Sequence, residues 1–223
     1  MTSPTSSRVA LGALMLALGA SALAQTITDL GPAPTSFLGQ SVGRLAAVAC
    51  HPTDPNLYYV GSADGGLWKT TDAGVTWTPL SDSWPTTAIG AVTIDPVNPS
   101  IIYVGTGEAN FANHSRYGLG LFKSTNGGAS WQQLGAATFS GRCFSKIAIN
   151  KNAPQRLYVG ITRAGGFPEL AAAKGHPQRE GPEGVFMSDN GGVNWLHLTT
   201  GIPALSATDV VIDPSNQNIV YAA

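Results

Sequence analysis

Charge is scarce in this sequence. Only 11% of its 223 residues are Asp, Glu, Lys or Arg, against roughly a quarter in ordinary globular chains, and the formal net charge is −1. That balance does not predict nucleic-acid binding or attraction to an anionic surface, so no nucleic-acid partner is expected. Cysteine is equally rare: Cys50 and Cys143 alone cannot build a disulfide framework. Past the N-terminus no apolar run approaches the roughly 20 residues of a membrane-spanning helix, so no membrane span is expected. The sequence also lacks a nucleotide-binding glycine loop, a His/Cys/carboxylate cluster at metal-ligand spacing and a nucleophile triad. No cofactor and no metal is expected.

What is plentiful is glycine (27) and proline (15), beside a hydrophobic content of 43%. Low charge, many turn formers and enough apolar residues for a core describe an all-β chain with frequent tight connections. The N-terminus reads differently. Met1–Arg8 is polar with one basic residue, Val9–Ala20 is apolar, and Ala22-Leu23-Ala24 places small residues before Gln25. This is the pattern of a secretory signal over residues 1–24, cut near Ala24. The apolar run is too short to span a membrane. The mature chain is therefore expected outside the cytoplasm: periplasmic, secreted or on the cell surface.

The rest of the chain repeats. Thr70-Thr71-Asp72-Ala73-Gly74-Val75-Thr76-Trp77, Ser124-Thr125-Asn126-Gly127-Gly128-Ala129-Ser130-Trp131 and Ser188-Asp189-Asn190-Gly191-Gly192-Val193-Asn194-Trp195 align without gaps. We call this Ser/Thr-x-Asp/Asn-x-Gly-x-x-Trp segment the box. Each box is followed by a leucine at the same offset, Leu80, Leu134 and Leu198. A second element recurs four times at constant spacing: His51-Pro52 to Tyr59, Asp95-Pro96 to Tyr103, Asn150-Lys151 to Tyr158, and Asp213-Pro214 to Tyr221. An alternating apolar pair precedes each (Val48/Cys50, Val92/Ile94, Ile147/Ile149, Val210/Ile212), as in a strand with one buried face. One unit thus reads as four strands, at Val92–Asp95, Ile101–Gly105, Leu119–Lys123 and Trp131–Leu134 in the second copy. Four antiparallel strands per unit, repeated, describe a propeller blade.

These residues resemble the BNR/Asp-box repeat family, which includes sialidases, xyloglucanases, the sortilin ectodomain and many bacterial exported propellers. The resemblance implies an all-β β-propeller in which Asp72, Asn126 and Asn190 accept turn hydrogen bonds. It gives Gly74, Gly128 and Gly192 the positive φ of the turn, and makes Trp77, Trp131 and Trp195 apolar anchors between strands. Residues 25–42 are expected to carry a ring-closing strand at Ile27–Gly31, and residues 43–223 blades 1 to 3 and the start of a fourth. The blades are set at Gly43–Leu80, Ile89–Leu134 and Phe144–Leu198, with the next beginning at Thr208. Because a propeller closes with about 4–8 blades, the expectation is the N-terminal part of a larger propeller. The alternative is two half-rings closing by association, with oligomers expected only in that case.

The stretch between the second-strand tyrosine and the box lengthens from Tyr59–Thr70 to Tyr103–Ser124 to Tyr158–Ser188. All of this variation falls on the face opposite the boxes, and one-sided insertion in a repeat marks a binding face. The ligand-binding candidates are accordingly Arg44, Glu108, Asn110, His114, Arg116, Tyr117, Arg142 and Arg163. Arg44 and Arg142 are placed toward the central channel at the starts of inner strands, and Glu108 and Arg116 alternatively pair with each other or with water. Glu169, Lys174, His176, Arg179, Glu180 and Glu183 belong to the third insertion, which also reads as a short helix or a solvated loop. His51 takes a turn position. Cys50 reads as a small core hydrophobe, and both thiols are expected to be free, being too far apart to bridge.

Three functions fit. The first is a non-catalytic exported propeller that binds a protein or carbohydrate ligand on its loop-rich face. The second is a glycoside hydrolase. The sialidase likeness would ask for an arginine cluster around a substrate carboxylate, with Arg44, Arg116 and Arg142 beside Glu108 and Tyr117, yet no Arg-Ile-Pro stretch is present. The xyloglucanase likeness would ask for catalytic aspartates divided between two propellers, and none stands out. The third is an assembly factor for a membrane complex, which the long second and third insertions do not fit.

Overall fold

The computed structural model describes residues 44–110, 116–163, 182–202 and 205–223, with the backbone of 35–37 and 40–42. The expected signal at 1–24 and the expected strand at Ile27–Gly31, with His114, Glu169, Lys174, His176, Arg179 and Glu180, lie outside the described residues. A hairpin of β1 (Thr35–Phe37) and β2 (Gln40–Val42) comes first. Three antiparallel four-stranded sheets follow. Blade 1 is β3 (Leu45–Cys50), β4 (Tyr58–Ser62), β5 (Leu67–Thr70) and β6 (Thr78–Pro79). Blade 2 is β7 (Ile89–Ile94), β8 (Ile102–Thr106), β9 (Leu121–Ser124) and β10 (Gln132–Leu134). The short helix α1 (Ala136–Phe139) leads to blade 3, which is β11 (Cys143–Ile149), β12 (Leu157–Thr162), β13 (Gly184–Ser188) and β14 (Leu196–Leu198). β15 (Val210–Ile212) and β16 (Val220–Ala222) pair as a further hairpin. The strands shift slightly from the sequence expectation. The first strand of blade 2 starts earlier, at Ile89, and the third starts at Leu121, because Gly120 at φ 107° bends the chain just before it.

The first strands β3, β7, β11 and β15 pack side by side in order, so each sheet leans on the next and the core lies between sheets. Between blades 1 and 2 it comprises Tyr59, Leu67, Ile89, Val92, Ile94, Ile102, Val104 and Phe122. Between blades 2 and 3 Tyr103, Leu121, Phe144, Ile147, Val159 and Phe186 take over. Each interface holds an aromatic wedge from the loop linking two blades. Trp84 stacks on Phe122 at 3.9 Å and meets Trp131 edge-on at 5.2 Å. Phe139 meets Phe186 at 5.1 Å and Trp195 at 5.2 Å. The second strands carry Tyr-Val-Gly three times, and the glycine is where the next blade presses closest. A Cβ on Gly61 would stand 2.3 Å from Ile89, and one on Gly105 2.3 Å from Phe144.

This interleaving explains one correction. Cys50 is exposed although its counterpart Ile94 is buried, and Val48 is 63% exposed. Both belong to the face of β3 that corresponds to the one β7 lays on blade 1, and no described residue covers it. Both cysteines are free.

The box turns share one hydrogen-bond scheme. The hydroxyl of Thr70, Ser124 or Ser188 accepts the N–H of Gly74 (2.8 Å), Gly128 (2.9 Å) or Gly192 (2.9 Å). The side-chain oxygen of Asp72, Asn126 or Asn190 accepts the N–H of Thr76 (2.8 Å), Ser130 (2.9 Å) or Asn194 (2.9 Å). Amide and carboxylate do the same work because one oxygen suffices: in each box it accepts both that N–H and the hydroxyl of Thr70, Ser124 or Ser188. Each turn also requires two successive positive φ values. Glycine provides both in the second and third boxes, whereas the first has Ala73 at φ 57° before Gly74 at φ 90°. The finished turn is gripped by the blade before it: Tyr59 Oη donates to the Gly127 carbonyl at 3.0 Å, and Lys69 Nζ to the same oxygen at 3.0 Å. Lys123 Nζ reaches the Gly191 carbonyl at 3.4 Å. Burial raises the pKa of Tyr59 and of Tyr103 to about 12.

The turns between first and second strands lie on the same face. Asp95 Oδ1 accepts from Val97 and Asn98 at 2.8 and 3.1 Å, Asn150 Oδ1 from Asn152 and Ala153 at 2.9 and 3.1 Å, and Asp213 Oδ1 from Ser215 and Asn216 at 2.8 and 3.1 Å. His51 Nδ1 takes the same position, accepting from Thr53 and Asp54 at 3.3 and 3.0 Å, which is the structural role expected of it.

Two predictions follow from the first box. Ala73→Gly removes the cost of a left-handed alanine and should raise stability by about 0.5–1 kcal/mol in chemical unfolding, net of the extra freedom of the unfolded chain. The Asp72 carboxyl is held below the usual carboxylate range, chiefly by the Thr76 hydroxyl, then by the Thr76 N–H and the Thr70 hydroxyl. A depressed folded-state pKa stabilises the fold above the unfolded-state value, and that contribution is lost as pH falls through the folded value. The melting-temperature gap between wild type and Asp72→Asn should therefore be widest near neutral pH and close below about pH 4.

Candidate functional site

The opposite face carries the loops between second and third strands and those between blades. Each first strand enters from it through a bulge at Ala46, Gly90 or Ser145. Its shortest loop, Ala63-Asp64-Gly65-Gly66, closes through Ser62 N–H to Gly66 O at 2.9 Å and Gly65 N–H to the Ser62 hydroxyl at 3.0 Å, with Gly66 at φ 80°. The turn points Asp64 outward, its side chain 60% exposed. Across from it, Arg116 Nε donates to Asp64 Oδ2 at 3.3 Å from a guanidinium 51% exposed. Both line a groove of about 280 Å³ whose other walls are Trp84, Pro85, Thr86, Thr87 and Tyr117. Trp84 is half-buried, its ring stacked on Phe122 and its remaining surface at the groove. An exposed pair of this kind is worth about 0–1 kcal/mol, so a ligand's polar groups can replace it at little cost.

Not all predicted residues converge here. Arg116 and Tyr117 line the groove. Asn110 is exposed at the far end of the Glu108 segment. Glu108 is 1% exposed and pairs with Arg44, not with Arg116 as sequence proximity suggested. Arg142 is buried instead of facing a channel. Its carbonyl accepts Gly118 N–H at 3.0 Å, and its neighbour Cys143 has its thiol pKa raised by burial. Arg163 follows β12, half-buried, and Glu183 stands before β13 with its side chain on the Ser206 hydroxyl. The three arginines of a sialidase-like cluster are therefore dispersed, with one at the groove, one on Glu108 and one buried. Asp64 lies in the shortest loop of this face and Trp84 in a linker between blades, so insertion length in the sequence marks neither. The signal for Trp84 was its place between blades, which Phe139 repeats.

A larger groove of about 580 Å³ runs along the first strands, walled mainly by alanine, valine and isoleucine with Thr93, Ser145 and Lys146. Thr93 Oγ1 already donates to the Ile147 carbonyl at 2.8 Å and Ser145 Oγ to the Ala207 carbonyl at 2.5 Å. Lys146 stands 3.9 Å from Asp209. It offers few uncommitted polar groups, so the smaller groove is the better candidate on chemistry.

Side-by-side four-stranded sheets, each gripping the turn of the next, define a β-propeller. No protein-family model matches the chain. Among curated proteins it is similar to a probable oligoxyloglucan-reducing end-specific xyloglucanase of Neosartorya fischeri, 25% identical over 195 residues that cover 69% of this chain and 23% of the relative. A xyloglucanase of Hypocrea jecorina is 29% identical over 133 residues, covering 57% of this chain and 14% of the relative. Among solved structures, an ancestral GH74 enzyme superposes with a TM-score of 0.61 at 25% identity, covering 81% of this chain and 22% of that one. The Niastella koreensis GH74 enzyme follows at 0.58 and 22% identity, covering 78% and 24%, and speaks for the fold alone. The chain thus spans less than a quarter of the curated relatives it matches.

Proposed function

We propose that the chain is part of an exported Asp-box β-propeller that binds a β-glucan of the xyloglucan type in the Asp64–Arg116 groove. The groove carries this reading: aromatic surface from Trp84 and Tyr117 lies beside an exposed carboxylate and guanidinium. Flat apolar surface receives the C–H face of a sugar ring, and the charged groups exchange hydrogen bonds with its hydroxyls. The xyloglucanase relatives support the choice of glycan, and the leader-like residues 1–24 support export.

Glycoside hydrolysis is the second reading, favoured by the same relatives. Asp64 is the carboxylate suited to it, being exposed at the groove. Two carboxyl groups must flank the cleaved bond, about 5–9.5 Å apart, and Glu108, buried against Arg44, is unsuited to be the second. Titration calorimetry with soluble xyloglucan oligosaccharides tests the proposal. Asp64→Asn and Arg116→Ala should each weaken binding by roughly tenfold while leaving melting nearly unchanged, since both side chains are exposed. Absence of binding by the wild-type chain at millimolar oligosaccharide would overturn it. Release of new reducing ends, abolished by Asp64→Asn, would favour the hydrolase reading.

A further inference from the structure

We infer that Glu108 is a positioning residue that holds Asp64 and Arg116 against each other across two blades. It is nearly inaccessible, at 1% exposure, on a face where the groove residues themselves are open, so direct ligand contact is not its role. A buried carboxylate costs several kcal/mol of lost hydration unless it is well paired. Glu108 is therefore expected to serve something the fold needs at this place.

Its contacts show what that is. From the side chain, one carboxylate oxygen meets Arg44 Nη2. Arg44 opens blade 1, and its carbonyl receives Ala63 N–H at 2.9 Å and the Ser62 hydroxyl at 3.2 Å. Those two bonds anchor the turn that presents Asp64. From the main chain, Glu108 N–H donates to the Arg116 carbonyl at 3.0 Å. Arg116 Nε then closes the circuit on Asp64 at 3.3 Å. A loop of contacts runs from Glu108 through Arg44 and the Ala63 turn to Asp64, and back through Arg116. Around it the backbone is tied on both sides: Gly107 N–H bonds Ala88 O at 2.8 Å, and Cys143 Sγ lies 3.4 Å from the same Arg116 carbonyl. Between side chains, the Asp64 turn and the Arg116 segment before β9 meet through an exposed ion pair too weak by itself to fix their distance. Their main chains connect only indirectly, by Gly66 N–H to Thr87 O at 2.8 Å and Thr86 Oγ1 to Tyr117 O at 3.5 Å, so the buried carboxylate is the tie that reaches both.

The inference concerns geometry, and only its effect on affinity rests on the glycan reading, so the test uses a ligand-free readout and a ligand readout. Glu108→Gln keeps the shape and removes the charge. Hydrogen exchange of the full chain should accelerate at least about tenfold in the segments holding Ala63 and Gly118 while the box turns at 70–77 and 124–131 keep their protection. Exchange unchanged at either segment, or accelerated uniformly along the chain, overturns the inference whatever the ligand is. Where xyloglucan oligosaccharides bind, Glu108→Gln should weaken binding roughly tenfold in the wild-type background and less than about twofold in Asp64→Asn, because coupled residues are not additive. Equal losses in both backgrounds would overturn it. Localised acceleration without any oligosaccharide binding would leave the positioning role standing and remove the glycan reading alone.

Discussion

The carbonyl of a left-handed glycine, Gly127 or Gly191, held out by its own box and gripped by a lysine of the preceding blade, is the contact on which the rest of this fold depends. The box makes the turn rigid before any neighbour arrives, since its hydroxyl and its Asp or Asn oxygen satisfy the turn's own N–H groups. A rigid turn can deliver a carbonyl at a fixed angle, and hydrogen bonds from Tyr59 and Lys69 then set the spacing of blades 1 and 2. Individual bonds of this sort contribute about 0.5–1.5 kcal/mol. Their larger effect is on register, because they bring Trp131 onto Trp84 and Ile89 onto Gly61, where the apolar area is buried.

Cohesion concentrated on the box face leaves the other face available for variation. There the loops differ in length, the polar groups are exposed, and the pair Asp64–Arg116 bridges two sheets instead of lying within one. Such a site takes its geometry from the spacing of the blades and adds to it one ion pair, between the buried Glu108 and the exposed Arg44. On the proposed function, stability and glycan binding fall at opposite ends of the same strands.

Much of this was legible in the chain. The box, the Tyr at constant spacing and the alternating pairs gave the strands, the shared face of both turn types and the free thiols. Their period follows from geometry that every blade must repeat. What was not legible depended on contacts between repeats. Cys50 has the sequence context of Ile94, yet burial there needs a preceding sheet, so pattern alone misassigned it. Glu108 and Arg116 are near in sequence, but their side chains go to different parts of blade 1: Glu108 to Arg44 just before β3, and Arg116 to Asp64 in the turn between β4 and β5. Asp64 itself sits in a turn too short to attract notice, and only the fold brings Arg116 to it. Long-range pairing of this type carries no periodic signature.

The division of labour between the two faces can be read directly by amide chemical-shift mapping of the chain titrated with a xyloglucan oligosaccharide. The account predicts shifts confined to residues 63–66, 84–88 and 116–118, with the box turns at 70–77, 124–131 and 188–195 unmoved. Shifts centred on the box turns, or on the first-strand groove, would contradict it.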